Sequence, residues 1–330
     1  MIASSSAPSD STVRALIDWY RGSGRDLPWR QTRDPYPIWI SEIMLQQTQV
    51  ATVLPRYRLW LQRFPTLPQL AASSEESVMQ LWQGLGYYRR ARLLHAAAQQ
   101  IAEQHAGRFP ADFAAIHALP GIGRSTAGAI ASFCFAARTP VLDGNVKRVL
   151  QRWQGAAASE RQLWQSAQAA IDAAVDPGEW NQAMMELGAT CCAPRRPDCA
   201  ACPVAAGCRS AFTATMPETA STPARSSVRE CHWQVQLHRR DAGLWLVRRP
   251  DGGIWGGLWS PPIIELNEAP DTAPLYSHRL THRLLHLHAH ECAESPAGEG
   301  VWCPNVGSMP LPTGIRRLLQ RVEGPETETD

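Results

Sequence analysis

The chain has 330 residues, with 32 basic and 30 acidic side chains and a net charge of +2. That length allows two or three domains with proper cores, and the balanced charge excludes a whole-molecule field that would by itself announce a nucleic-acid partner. No run of apolar residues is long enough for a membrane-spanning helix, and Met1 to Thr12 lacks the basic start and apolar run of a signal peptide.

From Val13 to about Arg209 the sequence reads as helices, with Ala, Leu, Gln, Glu and Arg dominant and apolar residues recurring at three and four. Pro35 and Pro37 lead into a predicted helix over Ile38–Leu54, which Pro55 closes. On that helix Glu42, Leu45, Gln46 and Gln49 share one face, and Ile40, Ile43, Met44, Ala51 and Leu54 point to a core-like one. Further helices are predicted near 74–83, 88–105, 124–137, 145–153, 160–174 and 179–189. Thr213–Ser227, rich in Thr, Ser, Ala and Pro, reads as a linker. Beyond it His232–His238 and Leu244–Arg248 read as strands of an α+β domain, and Gly314–Arg321 as a last helix. The fold class expected is a mostly α N-terminal domain over 12–212, a linker over 213–228 and an α+β domain over 229–322.

Chemistry concentrates in five places. Cys192, Cys199, Cys202 and Cys208 are spaced C-x6-C-x2-C-x5-C, which suits a tetrahedral zinc or the corners of a [4Fe–4S] cube; ligand count leaves the two open. Cys191 fits the spacing less well and is read as a spectator. Cys134, Cys231, Cys292 and Cys303 are scattered, as in a reducing compartment. Leu119-Pro120-Gly121-Ile122-Gly123-Arg124-Ser125-Thr126 lies between two helical patterns, where two glycines allow a tight turn and turn N–H groups outward at a helix start. That is how a helix–hairpin–helix holds a DNA phosphate without reading sequence. Glu42 by itself reads as a solvated carboxylate. Asp143, in Leu142-Asp143-Gly144-Asn145, reads as an N-cap, and a capping carboxylate is expected to stay ionised. Gly84-Leu85-Gly86-Tyr87-Tyr88-Arg89-Arg90-Ala91-Arg92 puts two aromatics before three arginines. The tyrosine rings could stack on or wedge between bases and the arginines could hold phosphates, or one tyrosine packs and the arginines are a solvated face.

In this order the pieces resemble the helix–hairpin–helix DNA glycosylases that carry an iron–sulfur cluster, and within them the MutY family of adenine DNA glycosylases. The match is carried by Asp26-Leu27-Pro28-Trp29-Arg30, Ser41-Glu42-Ile43-Met44-Leu45-Gln46-Gln47-Thr48-Gln49-Val50, Asn181-Gln182-Ala183-Met184-Met185-Glu186-Leu187-Gly188 and Trp255-Gly256-Gly257-Leu258-Trp259. The resemblance covers roughly residues 12–322. It implies a helix–hairpin–helix glycosylase domain with one [4Fe–4S] cluster on the four cysteines, followed by a Nudix-like domain. It implies double-stranded DNA with A:8-oxoguanine or A:G mispairs as partner, with no membrane and a monomer. The expected place is cytoplasmic, at the nucleoid of a bacterial-type cell.

The implied reaction is hydrolysis of the N-glycosidic bond of a flipped-out adenine. Glu42, desolvated, would protonate adenine N7; Asp143 would stabilise the oxocarbenium-like sugar, and Asn145 would orient Asp143 or a water. By family match Trp29, Arg30, Leu45, Val50 and Gln182 line the adenine pocket. Gln46 and Tyr87 enter the duplex beside the estranged base, and Arg195 and Arg196 in the cysteine loop join Gly121, Gly123, Arg124 and Ser125 at phosphates. Ser125 stands where the endonuclease III branch carries a Schiff-base lysine, and Lys147 is the only lysine in the chain, so a monofunctional glycosylase is expected.

After Gly256-Gly257 no Arg-Glu-x-x-Glu-Glu pattern follows, so Nudix pyrophosphatase activity is expected to be absent. Where the family carries a Phe-Ser-His loop for 8-oxoguanine, this chain has Leu280-Thr281-His282. His278, His282, His286, His288 and His290 are spread along strand-like sequence and are read as strand and loop residues with DNA-facing ends rather than metal ligands. Competing readings are an endonuclease III-like bifunctional enzyme, opposed by Ser125, and a catalytically silent DNA-binding protein, opposed by the presence of both Glu42 and Asp143.

Overall fold

The structure is a computed structural model that describes residues 8–213, 228–241 and 243–323. The linker reading falls, from residue 214 to 227, outside the described residues. In chain order the helices are α1 Asp10–Ser23, α2 Pro35–Leu45, α3 Val50–Arg63, α4 Leu67–Ala71, α5 Glu75–Leu81, α6 Arg89–Gln104, α7 Phe113–His117, α8 Arg124–Phe135, α9 Gly144–Gln154, α10 Glu160–Asp172 and α11 Pro177–Glu186. The strands follow as β1 Arg229–Arg240, β2 Gly243–Arg248, β3 Trp259–Ser260, β4 Ile263–Leu266, β5 Tyr276–Arg279, β6 Arg283–Cys292 and β7 Val301–Cys303, and α12 Thr313–Glu323 closes the described chain. Two compact units result. The first takes the chain up to Ala72 and again from Leu93; the second joins Ser73–Arg92 to the C-terminal part.

The first unit is helical. Val13, Leu16, Ile38, Val146, Val149, Leu163, Ile171, Trp180 and Leu187 share one buried core. Most helix starts carry a side-chain cap that supplies an acceptor for an orphan N–H. Ser9, Asp34, Asp143 and Asp176 cap α1, α2, α9 and α11, and Ser159 with Gln162 forms a capping box at α10.

The expected helix Ile38–Leu54 is two helices. Gln46 leaves helical geometry, Gln47 takes a left-handed φ of 58°, and Gln49 caps α3. The reason is burial. Ile38, Trp39, Ile40, Ser41, Ile43 and Met44 bury α2 nearly all round, whereas α3 buries one stripe, Val53, Tyr57 and Trp60. One straight helix cannot be both, so the chain turns at the polar run Gln46–Gln49. Gln49 therefore leaves the helical face of Glu42, Ala51 is exposed rather than core, and Pro55 sits inside α3 instead of ending it.

In the second unit β1 lies between β6, paired parallel, and β4, paired antiparallel; β2 joins the end of β1 and carries β3 and β7, and β5 flanks β6. Alternation places Trp233, Val235, Leu237, Leu285 and Leu287 on one face, where Ile315, Leu318 and Leu319 of α12 complete the core. Between β2 and β5 the described residues hold two short strands and no helix.

Candidate active site

A cavity of about 390 Å³ opens in the first unit, within the size range of small-molecule sites. Glu42 and Asp143 both line it, and so do Trp29, Arg30, Leu45, Val50, Asn145 and Gln182. Residues from four separate stretches of sequence thus converge on one space.

Glu42 projects from α2 and is partly buried. Burial, and then the negative charge of Asp143, push its carboxyl up to about 7, against a smaller opposing pull from Arg30. Asp143 caps α9, its Oδ1 accepting from the Val146 N–H at 2.8 Å. Burial raises its carboxyl above the usual carboxylate range, opposed by bonds from the Val146 and Asn145 N–H groups, by Arg148 and by the Asn145 side chain. Asp143 does cap α9, as the sequence suggested, and withdrawal from water works against the cap. The pair is nonetheless asymmetric: Asp143 has donors aimed at its anionic form, and Glu42 has little besides Arg30.

Asp143 is delivered by the segment Thr139–Leu142, which two side chains hold in place. Ser125 Oγ accepts from the Leu142 N–H at 3.0 Å, and buried Asn181 accepts from the Val141 N–H at 3.1 Å while donating to Ser132 Oγ and the Thr139 carbonyl. Gly128 lets this segment touch α8, since a Cβ there would strike the Pro140 carbonyl. Past α11 the helix widens over Leu187–Cys191, with Cys192 N–H bonding the Leu187 carbonyl five residues back at 2.6 Å. That turn carries Gly188, whose missing side chain makes room for Asn145: a Cβ there would lie 2.6 Å from the Asn145 Cβ.

The floor of the cavity is built by residues that no local sequence pattern singles out. Glu186, fully buried, accepts from Arg25 Nε and Nη2 at 2.8 Å each and from Arg30 Nη2 at 2.7 Å. Burial raises its carboxyl, but the Arg25 and Arg30 bonds outweigh that and bring it to about 2. Tyr20 donates to Gln182 Oε1 at 2.5 Å, and Arg30 lies over the Tyr20 ring. Asn181 and Glu186 stand within the same Asn181–Gly188 phrase as Gln182, one residue before it and four after it, and nothing local to that phrase marks either one out.

The four cysteines Cys192, Cys199, Cys202 and Cys208 line a second cavity of about 30 Å³. Among the described residues no three of their sulfurs come within 4.8 Å of one another. Four soft thiolates gathered on one cavity are the donor chemistry of a zinc ion or an iron–sulfur cluster. Cys191 is buried and its thiol donates to the Asp198 carbonyl at 3.1 Å. Two buried arginines of α9 brace the loop. Arg148 donates to the Cys192 and Gly188 carbonyls and to Asn145 Oδ1, and Arg152 to the Ala193 and Pro194 carbonyls. One helix therefore ties Asp143 at its N-terminus to the cysteine loop along its side.

At the hairpin Gly121 has φ of +77°, and a Cβ on it would meet Leu93 at 2.8 Å; Gly123 caps α8 with open space around it. Arg124 is exposed and stacks on Trp164, its guanidinium 3.9 Å from the ring centroid. Arg195 and Arg196 are exposed on the cysteine loop. Gln46 donates to Thr126 Oγ1 at 3.3 Å, and Lys147 pairs with Glu160 at 3.0 Å.

The remaining predicted residues lie in the second unit. Leu280-Thr281-His282 forms the turn between β5 and β6, closed by the Leu280 N–H on the Arg283 carbonyl at 2.8 Å, with Thr281 and His282 exposed. Tyr87, exposed and at a positive φ of 47°, shares a 2.5 Å hydroxyl hydrogen bond with Thr281, while Tyr88 is buried. Arg90 and Arg92 are internal braces rather than free cations: Arg90 donates to the Leu85 carbonyl, and Arg92 to Glu75 and the Gly256 carbonyl.

A hairpin opening onto α8, a carboxylate pair across a base-sized cavity and a four-thiolate loop define the class of base-excision DNA repair proteins. Accordingly residues 40–170 match the HhH-GPD superfamily of base excision DNA repair proteins, and residues 234–321 match the NUDIX domain. The mouse adenine DNA glycosylase is 36% identical over 83% of this chain and 67% of its own length; that of Buchnera aphidicola (subsp. Schizaphis graminum) is 30% identical over 92% and 96%. A solved thermostable thymine-DNA glycosylase is 28% identical, with a TM-score of 0.56, over 60% of this chain and 94% of that one. The chain belongs to the adenine DNA glycosylase family. It spans 60% of the length of the rat relative and 38% of the human one.

Proposed function

We propose that the protein is a monofunctional adenine DNA glycosylase of base excision repair, removing adenine opposite 8-oxoguanine or guanine in double-stranded DNA. The observation that carries the reading is the asymmetry across the cavity, a carboxyl raised to about 7 facing a carboxylate held by backbone donors. Adenine leaves readily only when N7 is protonated, and Glu42 at that acidity can hold and deliver a proton near neutral pH. Asp143, with N–H groups of α9 aimed at it, suits stabilisation of the cationic sugar, and Asn145 orients it. Arg30 and Gln182 are fixed from beneath by Glu186 and Tyr20, as reading a flipped base requires. The chain acts as a monomer in a reducing cytoplasm.

The four cysteines would hold one [4Fe–4S] cluster, which supplies a rigid anchor for the loop bearing Arg195 and Arg196 and takes no part in the hydrolysis. Gly121, Gly123, Arg124 and Ser125 would receive a backbone phosphate. The Tyr87–Thr281 contact joins two residues proposed for the estranged base, with His282 as a further contact, and the Thr281 hydroxyl could accept from the N7–H that distinguishes 8-oxoguanine from guanine. Gln46, in the first unit, is proposed separately as a residue that enters the duplex.

The test is base release from a duplex with one A opposite 8-oxoguanine, run with and without hot alkali. Strand breaks only after alkali are expected. Breaks without alkali would mean a lyase, against the reading of Ser125 and of Lys147, which is paired to Glu160. No breaks in either lane would remove the substrate assignment and favour a silent DNA-binding protein.

A further inference from the structure

The histidines of the second unit take on a different meaning once strand register is known. β1 and β6 run parallel with His232 opposite His286 and Gln234 opposite His288. Side chains at 230, 232, 286 and 288 therefore share the face of the sheet that looks away from the core of Trp233, Val235, Leu285 and Leu287. The rings of His232 and His286 stack, with centroids 4.7 Å apart and planes at 19°. Glu230 joins them, so that one ligand-capable atom from each of Glu230, His232 and His286 lies within 4.8 Å of the other two.

We infer that Glu230, His232 and His286 form a binding site for a zinc-like divalent metal ion, with His288 and Ser277 orienting the two imidazoles. It is distinct from the cysteine loop and independent of the chemistry of the adenine pocket.

The orientation of the rings supports this. Metal-binding histidines commonly engage their second ring nitrogen with another polar group, which fixes the tautomer and the aim of the first. Both rings do so here through Nδ1. Ser277 Oγ lies 2.9 Å from His286 Nδ1, and His288 Nε2 lies 3.2 Å from His232 Nδ1. Nε2 of each ring is left for an ion. Glu230 Oε2 stands 3.6 Å from His286 Nε2, too far for a hydrogen bond and close to the roughly 3.4 Å separation of N and O ligands around a tetrahedral zinc. His288 is buried and can accept from His232 Nδ1–H through Nε2. Its own Nδ1 is then a buried donor, and among the described residues that atom has no partner. A fold that tolerates this cost to aim one imidazole has the signature of a site rather than of a packed core. Two imidazoles and a carboxylate suit zinc and its neighbours and disfavour magnesium or calcium, which take oxygen ligands. An ion there would clasp β1 to β6.

The test uses the full chain with its iron content verified and adventitious metal removed by a chelator. Zinc is titrated calorimetrically into the wild type, Glu230→Gln and His286→Ala, and the zinc absorption edge of the loaded wild type is measured. One equivalent bound by the wild type is expected, with at least roughly tenfold weaker binding in each variant at unchanged iron content, and a first shell of nitrogen and oxygen only at about 2.0–2.2 Å. Sulfur in the first shell, binding indifferent to both substitutions, or no stoichiometric binding would each overturn the site. The edge measurement needs no variant, so a misfolded substitution leaves the inference testable.

Discussion

Arg30 Nη2 donates to Glu186 Oε2 at 2.7 Å beneath the cavity, and the same carboxylate takes three further bonds from Arg25, two from the guanidinium and one from the backbone. A buried anion shared between two arginines converts a flexible side chain into a fixed donor at the wall of the pocket. Truncating one member leaves the other charges without a counterpart.

That sharing sets a pH dependence. Glu186 sits at about 2 folded against an ordinary 4.5, so its contribution, about 3 kcal/mol, is fully present above 4.5 and is lost as pH falls through about 2. Glu186→Gln should lose a similar amount at pH 7 and flatten the acid limb of stability. Urea unfolding between pH 2 and 7 reads both.

Glu42 carries the opposite sign. Folded, it keeps its proton up to about 7 against 4.5 in the ordinary state, so the stability it confers is present below 4.5 and lost as pH rises through 7. Glu42→Gln should abolish base release by roughly 10²–10⁴-fold while stabilising the fold above pH 7 by up to about 3 kcal/mol. The wild-type single-turnover rate should fall above an apparent pKa near 7. Glu42→Gln with undiminished base release would remove Glu42 from the chemistry.

Asn181→Ala removes the acceptor for the Val141 N–H and the donor to the Thr139 carbonyl. A buried amide left unpaired costs about 1–3 kcal/mol. Since this segment delivers Asp143, the single-turnover rate should drop roughly tenfold or more in the folded variant. Chemical denaturation and rapid-quench kinetics separate the two effects.

Arg152→Ala strips the Ala193 and Pro194 carbonyls of their donors. The cysteine loop should loosen, with a stability loss of about 2–4 kcal/mol. Iron per chain should fall, and proteolytic cleavage between Cys192 and Cys199 should quicken. Unchanged iron content would show that the cysteine ligands alone hold the loop.

The sequence by itself determined what local signals can carry. Helix periodicity, the caps Asp143 and Asp176 and the glycines of 121–123 are written within a few neighbouring residues, and so is the cysteine spacing. Family phrases placed Glu42, Gln182 and Arg30 at one pocket. Whatever depends on burial or on strand register was decided only by the tertiary structure. The turn at Gln46–Gln49 follows from α2 being enclosed and α3 being half exposed, a difference no propensity records. The acidity of Glu42 comes from its enclosure beside Asp143, 101 positions away, and the role of Glu186 from arginines about 160 positions away. His232 meets His286 only because β1 and β6 pair in parallel at one particular register. Desolvation and long-range pairing are properties of the packed chain, and a local reading of residue order does not contain them.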